Sequence, residues 1–438
     1  MRLPILSSPR DDGLVYEGPL SEFIQLLVVQ PTPFCNIQCD YCYLPDRDLA
    51  SRLSRATFQE LIKKVFASGL VAGQLSLVWH AGEPLVLPVS YYSDLLEVIE
   101  ELGLPRSRFR QSIQTNAILL TDAWCDFIRQ ENINIGVSID GPAYLHDRHR
   151  KDRQGRGTHE RVVKGIELLK AHGIDFHVIA VVTSDALDCA DEIFDFFLEL
   201  GVQRLGFNVE ELEGEHLRSS LVSRRAEARI RKFWMRLYER QVQSGDAIHV
   251  REFVRAYKTI VQGSLTTSEL AMHESSQVAP FGIVSVDWQG NLTSFSPELL
   301  GLKSVHYGDF TFGNIHDIDL LDLRNSQKFN RVAQQIYEGV KNCERSCQYF
   351  SLCGGGAPSN KYFENGSFAS TETMYCRTSI QMPIDVVLAD LEGRFRADTP
   401  SCFNGLTREH KHYSCRSPGS DAKPGSRAAR RWGSSHSL

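Results

Sequence analysis

Residues 31 to 43 read Pro31-Thr-Pro-Phe-Cys35-Asn-Ile-Gln-Cys39-Asp-Tyr-Cys42-Tyr43, three cysteines spaced C-x3-C-x2-C. Thiolates this close together can hold three irons of a four-iron, four-sulfur cube and leave the fourth iron without a protein ligand. An open iron can bind and cleave a small molecule instead of only passing electrons. A structural zinc site is the alternative, because zinc takes thiolates at similar spacings. Zinc needs a fourth ligand, however, and the first histidine in the chain is His80. A second group, Cys343, Cys347, Cys353 and Cys376, supplies four thiolates. Four can close a cluster completely, or hold one zinc ion.

Outward from the loop, short apolar runs alternate with amphipathic stretches. Ile24–Gln30 is aliphatic and reads as the strand that delivers the cysteines. Thr57–Gly69 reads as a helix that Thr57 can cap, with Phe58, Leu61, Ile62, Val65 and Phe66 at helical spacing on one face. The same alternation predicts strands at Leu75–His80, Phe109–Asn116, Ile133–Asp140, Asp175–Thr183 and Gln203–Glu210. Helices are expected near Ser90–Leu102, Asp122–Glu131, His159–His172, Ala186–Leu200 and Ser223–Gln243. Repeated strand–helix units imply a parallel sheet with helices outside. They suit a partial (β/α)6 barrel of the TIM type or a doubly wound sheet. The polar runs favour the barrel. Trp79-His80-Ala81-Gly82-Glu83-Pro84, Gln114-Thr115-Asn116, Ser138-Ile139-Asp140-Gly141-Pro142 and Asn208-Val209-Glu210-Glu211 all fall at C-terminal strand ends, as the cysteine loop does. Barrel enzymes keep their working residues there.

The barrel is expected to span residues 21–245, after an N-terminal segment at 1–20. A linker or helical bridge is expected at 246–280. A separate C-terminal domain at 281–395 begins with a hairpin over Pro280–Phe295, turning at Gln289-Gly290, and closes with a helix at Gln381–Gly393. Ser401–Leu438 carries seven basic residues against two acidic, and the tail from 396 to 438 is expected to be disordered.

Over 438 residues, 42% hydrophobic and 23% charged content fit a globular protein with full cores. A net charge of −6 argues against nucleic acid or membrane as a main partner. Met1 to Gly18 holds charged residues and no long apolar run, so no secretory signal is expected. Thiols used as metal ligands then point to a reducing cytoplasm. Cys125 and Cys189 fall on expected helices and read as small buried residues, and Cys402 and Cys415 fall in the tail.

The first cysteine motif, with Tyr41 before its last cysteine, resembles the signature of the radical S-adenosylmethionine (SAM) enzymes. The resemblance implies that the open iron chelates SAM. One electron from the cluster then splits SAM into methionine and a 5′-deoxyadenosyl radical that takes a hydrogen atom from the substrate. Gly82-Glu83-Pro84 resembles the family's second signature, with Ala81 in place of its first glycine. That signature is expected to receive the SAM amino group, Glu83 adding charge complementarity. Ser138 and Asp140 resemble a Ser-x-Asp-Gly-Pro run near the bound SAM. Gln114-Thr115-Asn116 resembles a Gln-Thr-Asn-Gly run, with Ala117 replacing the glycine. His146-Asp147-Arg148 is also family-like. Capping and loop hydrogen bonding compete for each of these short polar side chains.

The second group resembles the SPASM extension of radical SAM enzymes that modify peptides and proteins, which normally holds two auxiliary clusters. This chain has Phe295-Ser296-Pro297 and Gly354-Gly355-Gly356-Ala357 where the family places cysteines of the first of them. One auxiliary four-iron cluster is therefore expected, on Cys343, Cys347, Cys353 and Cys376, with zinc as the alternative. Three further runs, Gly206–Gly214, Ser296–Gly301 and Cys353–Gly366 with Ser370–Thr373, resemble the Grr-type maturases, which form cyclophanes in glycine-rich precursor peptides. This implies a ribosomally made peptide substrate and an electron donor such as flavodoxin or ferredoxin. Glu210 and Glu298 are candidate proton acceptors, and Asn208 and Glu213 candidate substrate contacts. Only 34 residues precede Cys35, too few for a peptide-recognition domain of about 80 residues. Leader binding is therefore expected on the barrel, the C-terminal region or a separate protein.

Overall fold

The computed structural model describes residues 14–262 and 267–393. The expected basic tail, with Cys402 and Cys415, lies outside the described residues, as do 1–13 of the N-terminal segment and 263–266 of the bridge.

The strands are β1 Leu26–Val29, β2 Ile37–Cys39, β3 Leu75–Trp79, β4 Phe109–Thr115, β5 Asn134–Ser138, β6 Arg150–Asp152, β7 Phe176–Val182, β8 Arg204–Val209, β9 His249–Val250, β10 Ile283–Val286, β11 Asn291–Ser294, β12 Lys303–Ser304, β13 Gly308–Asp309 and β14 Gly313–Asn314. The main sheet runs β14-β11-β10-β1-β3-β4-β5-β7-β8-β9. From β10 to β9 every neighbour is parallel. The six expected strands follow one another in sequence without the reversal a doubly wound sheet requires, and they form a partial barrel. Its outer helices are α1 Arg55–Ala67, α2 Val89–Glu101, α3 Asp122–Gln130, α4 Ala143–His149, α5 His159–Ala171, α6 Ala190–Glu199, α7 Arg224–Gln243, α8 Arg251–Gln262 and α9 Ser268–Glu274.

Strand alternation decides which side chains see the helices and which see the lumen. Leu27, Val29, Leu77, Trp79, Ile113, Ile135, Val137, Val178, Ala180, Leu205 and Phe207 belong to the main core. Val28, Val78 and Ile283 form a separate small cluster on the other face. The lumen-facing row continues with Gln114, Gly136, His177 and Gly206. A Cβ on Gly136 would overlap Gln114 Oε1 and lie 2.6 Å from His177 Nε2, so these three positions crowd the same space.

Two expectations are corrected. The cap of α1 is Ser54, whose side chain accepts from Thr57 N at 3.0 Å, not Thr57. And the hairpin is no separate unit: β10 pairs in parallel with β1, so the barrel sheet runs through the boundary expected at 280–281. Beyond it come α10 Gln327–Ser346, α11 Phe350–Cys353, α12 Pro358–Asn365, a π-helical turn over Cys376–Gln381 and α13 Met382–Leu391. Phe329, Val332, Ala333, Ile336, Val340 and Cys343 form the buried stripe of α10.

Candidate active site

The cysteine loop leaves β1 and is held from three sides. β2 pairs antiparallel with β6, which sets Cys39 opposite Arg150. Arg150 forks onto Asp140, Nε to Oδ2 at 2.9 Å and a terminal nitrogen to Oδ1 at 3.0 Å. Its other terminal nitrogen lies 3.9 Å from Cys39 Sγ, and its guanidinium stands 5.4 Å from the Tyr41 ring centre. Tyr41 donates its hydroxyl to Asp140 Oδ2, and Val181 N donates to Oδ1 at 2.9 Å. Burial opposes ionisation of Asp140, but Arg150 and these donors outweigh it and hold the carboxyl below its usual range. Tyr41 and Asp140 thus belong to an internal network whose cation reaches the cysteines. On the other flank Arg153 donates twice to the Cys35 carbonyl, at 2.8 and 2.6 Å.

The turn after β3 packs directly under the loop. Gly82, at φ +117°, leaves no room for a side chain: a Cβ would overlap the Thr32 carbonyl oxygen and meet that of Phe34. Glu83 N donates to that Phe34 carbonyl at 2.9 Å. Glu83 is buried, and its carboxylate accepts from Thr115 Oγ1 at 2.6 Å, Asn116 N at 2.8 Å and Leu85 N at 3.0 Å. Burial outweighs these bonds and raises its pKa to about 6. The carboxylate therefore ties β3 to β4 and caps the short turn begun by Pro84. It is engaged inside the fold, where charge complementarity to an ammonium group was expected. Ala81 and Ala117, which replace family glycines, keep left-handed backbones at φ 67° and 59°.

Gln114 Nε2 donates to Ser138 Oγ at 2.9 Å across the lumen ends of β4 and β5. Asn116 Nδ2 reaches Asn36 Oδ1 in the cysteine loop at 2.7 Å. Asn208 also faces the lumen, where its Oδ1 accepts from Arg251 at 2.9 Å. Arg148 is exposed and paired with Asp185.

The candidate glutamates separate. Glu210 is engaged by the loop that follows β8: its carboxylate accepts from Ser220 N at 2.8 Å and meets His216 Nε2 at 3.1 Å, bracing the segment before α7. Glu213 accepts from Ser359 Oγ at 2.8 Å, and Glu211 from Asn360 Nδ2 at 2.8 Å. Glu298 is bonded by Ser296. Burial first, and the neighbouring carboxylates next, raise Glu213 well above its usual range; burial raises Glu298 and takes Glu211 to about 8. All three carboxylates act electrostatically on Tyr43, beside Cys42. Sequence reasoning does not single out Glu211; its signal is the adjacent pair Glu210-Glu211, because neighbouring side chains on an extended segment face opposite ways.

Cys343, Cys347, Cys353 and Cys376 line one small pocket with Gly355 and Gly356. Gly354, Gly355 and Gly356 all have positive φ, and a Cβ on Gly356 would stand 3.3 Å from Cys376 Sγ. The place of the missing auxiliary cysteines is packed: fully buried Phe295 lies against Phe312 and Phe329. Among the described residues, no three His, Cys, Asp or Glu side chains are arranged to hold a single metal ion. Thiols are the donors an iron–sulfur cube takes, and by donor chemistry both sets fit one. Three thiols with a cation beside them suit an open cube, and four thiols around one pocket suit a closed one. No helix among the described residues is long and apolar enough to cross a membrane.

The profile of the radical SAM superfamily matches residues 29–197, from the end of β1 through α6. The chain is 42% identical to an uncharacterized protein of Synechocystis sp., over 89% of this chain and 96% of that protein. It is 25% identical to a serine-type anaerobic sulfatase-maturating enzyme of Bacteroides thetaiotaomicron, over 79% and 85% respectively. Among solved structures it resembles one titled native anSMEcpe with bound AdoMet and Cp18Cys peptide, at 22% identity and a TM-score of 0.67, covering 84% of this chain and 98% of that one. That likeness extends the shared fold through the C-terminal region. A three-cysteine loop at the mouth of a partial barrel, seated on a Gly-Glu-Pro turn, within the residues 29–197 that match the radical SAM superfamily, has one reading: the chain is a radical SAM enzyme.

Proposed function

We propose that this enzyme modifies a ribosomally made, glycine-rich precursor peptide, joining an aromatic ring carbon to the β-carbon of a nearby residue. One observation carries the narrower reading. The three runs that resemble the cyclophane-forming maturases, far apart in sequence, meet at the barrel mouth. Glu211 bonds Asn360, Glu213 bonds Ser359, and Glu298 interacts electrostatically with both glutamates and with Tyr43.

When bound at Cys35, Cys39 and Cys42, the cluster and SAM supply a hydrogen-atom acceptor. The chain's residues do the rest. Gln114, Ser138 and Asn208 line the lumen where SAM and substrate meet. Forming the ring bond removes one hydrogen atom from the β-carbon, then one proton and one electron from the ring. Burial raises the proton affinity of Glu211, Glu213 and Glu298, and whichever of them is ionised when substrate binds would take the proton. A four-iron cluster on Cys343, Cys347, Cys353 and Cys376 is suited to take the electron. A small donor such as flavodoxin or ferredoxin would supply the starting electron in a reducing cytoplasm.

A second reading, formylglycine formation in a sulfatase, is favoured by the relatives named as sulfatase-maturating enzymes. A cysteine would also exchange its sulfur for oxygen, but cyclophane formation and oxidation of a serine to formylglycine both remove two hydrogens, so mass alone does not separate those two. Anaerobic co-expression with a glycine-rich peptide encoded beside the gene, against a Cys35→Ala, Cys39→Ala, Cys42→Ala control, does. The proposal expects loss of a hydrogen pair, no reaction with an aldehyde probe, and fragmentation that fails between the joined residues. An unmodified peptide together with an aldehyde on a co-expressed sulfatase would replace it with the second reading.

A further inference from the structure

The three-glycine turn after Cys353 leads straight into α12, which carries Lys361 back over the four cysteines. Lys361 is 2% exposed. Its ammonium donates to the Gly339 carbonyl at 3.1 Å and approaches Cys343 Sγ at 3.3 Å. Among the described residues no carboxylate forms an ion pair with it. Gly339 clears its slot: a Cβ there would lie 3.2 Å from Lys361 Nζ. Its charge also acts on the thiols of Cys347 and Cys376.

A buried ammonium without a counter-charge is strongly unfavourable. One carbonyl and one neutral thiol do not compensate it. Four thiolates around an iron–sulfur cube would, because such a cluster is anionic and becomes more so on reduction. A fixed cation against a ligand sulfur stabilises the reduced form most, which raises the reduction potential. The arrangement at the barrel mouth differs, since Arg150 near Cys39 is already neutralised by Asp140.

We propose that Lys361 sets the potential of the C-terminal cluster, its buried ammonium making that cluster the better electron acceptor. This rests on the reading of Cys343, Cys347, Cys353 and Cys376 as an iron–sulfur site. The balance is one electron from the ring to this cluster, the accompanying proton to a mouth carboxylate, and the electron onward to the first cluster or a ferredoxin-type acceptor.

The test uses the full chain carrying Cys35→Ala, Cys39→Ala and Cys42→Ala, reconstituted anaerobically with iron and sulfide, so that only the C-terminal cluster remains. Its midpoint is read by redox titration followed by electron paramagnetic resonance, beside Lys361→Gln and Lys361→Arg in the same background. The expected result is a lower midpoint in Lys361→Gln and a near-native one in Lys361→Arg. Loss of iron from the glutamine variant alone would overturn the proposal, the charge then serving assembly of the site and not its potential. Equal midpoints in all three proteins, or equal changes in both variants, would overturn it. A colourless parent protein holding zinc would overturn the reading of the four cysteines, and the role of Lys361 with it.

Discussion

At the barrel mouth the cation closest to a cysteine sulfur, Arg150, forks onto Asp140; beneath α12 the corresponding cation, Lys361, has a carbonyl and a sulfur for company. The first cysteines are half-buried on a loop above a polar lumen, while Cys343 and Cys376 are buried in a pocket lined by Gly355 and Gly356. Ligand chemistry is the same at both places, and the surroundings differ in charge and access. An open position above a neutralised cation suits binding and cleavage of a charged small molecule. An enclosed position beside an uncompensated cation suits holding an electron. The carboxylates of Glu211, Glu213 and Glu298 lie between the two, next to Tyr43.

The comparison can be broken most forcefully at Asp140. Asp140→Asn would leave Arg150 buried and unpaired, making the first site resemble the second. Removing one partner of a buried ion pair costs about 3–5 kcal/mol. Urea unfolding of the iron-free protein should show a loss of that order; a loss below about 1 kcal/mol would mean that Arg150 is not held as described.

A smaller effect is expected from the carboxylates between the sites. The folded-state pKa of Glu211, raised by burial to about 8 from an ordinary value near 4.5, means that the folded protein holds this proton more tightly than the unfolded chain. Its contribution to stability is therefore complete below about pH 4.5 and is lost as pH rises through about 8. Glu211→Gln should flatten the fall in unfolding free energy across that window, by at most about 1.4 kcal/mol per unit of pH. Unchanged pH dependence would place the proton elsewhere in the carboxylate group.

The smallest expected change sharpens the mouth alone. Tyr41→Phe removes one hydroxyl donor from Asp140 and keeps the ring under Arg150. The expected loss is about 1 kcal/mol in the same unfolding experiment, with Arg150 still in place.

Much of this was legible in the sequence wherever a local pattern carries the information. The strands from Leu26 to Val209 announced themselves by aliphatic runs, and the outer helices by apolar positions at helical spacing, because each element buries one face against the next. The strand-end motifs were legible for the same reason. Partnerships across the chain were not. Arg150 is one basic residue in a run from His146 to Arg156 that also holds Arg148, His149, Lys151 and Arg153. Only the pairing of β2 with β6 picks it out. Nothing in the run Cys353–Gly366 sets Lys361 apart; the fold of α12 over the cysteines does. Glu83 and Glu210 stand at strand ends as expected, yet internal donors occupy their carboxylates. Position along a strand tells where a side chain begins and not what it meets. The hairpin over Pro280–Phe295 reads as the start of the C-terminal domain because the strand–helix alternation has lapsed before it, although β10 extends the barrel sheet.

The most direct test of the two-site account is the response of each cluster to SAM. Two reconstituted full-length variants are needed, one lacking Cys35, Cys39 and Cys42, the other with Cys343, Cys347, Cys353 and Cys376 changed to serine. After anaerobic reduction, the paramagnetic resonance spectrum of each is recorded with and without SAM. The account predicts that SAM alters the spectrum of the variant that keeps the first site and leaves that of the other unchanged. A spectrum that shifts only in the variant keeping the C-terminal cysteines, or in neither, would contradict it.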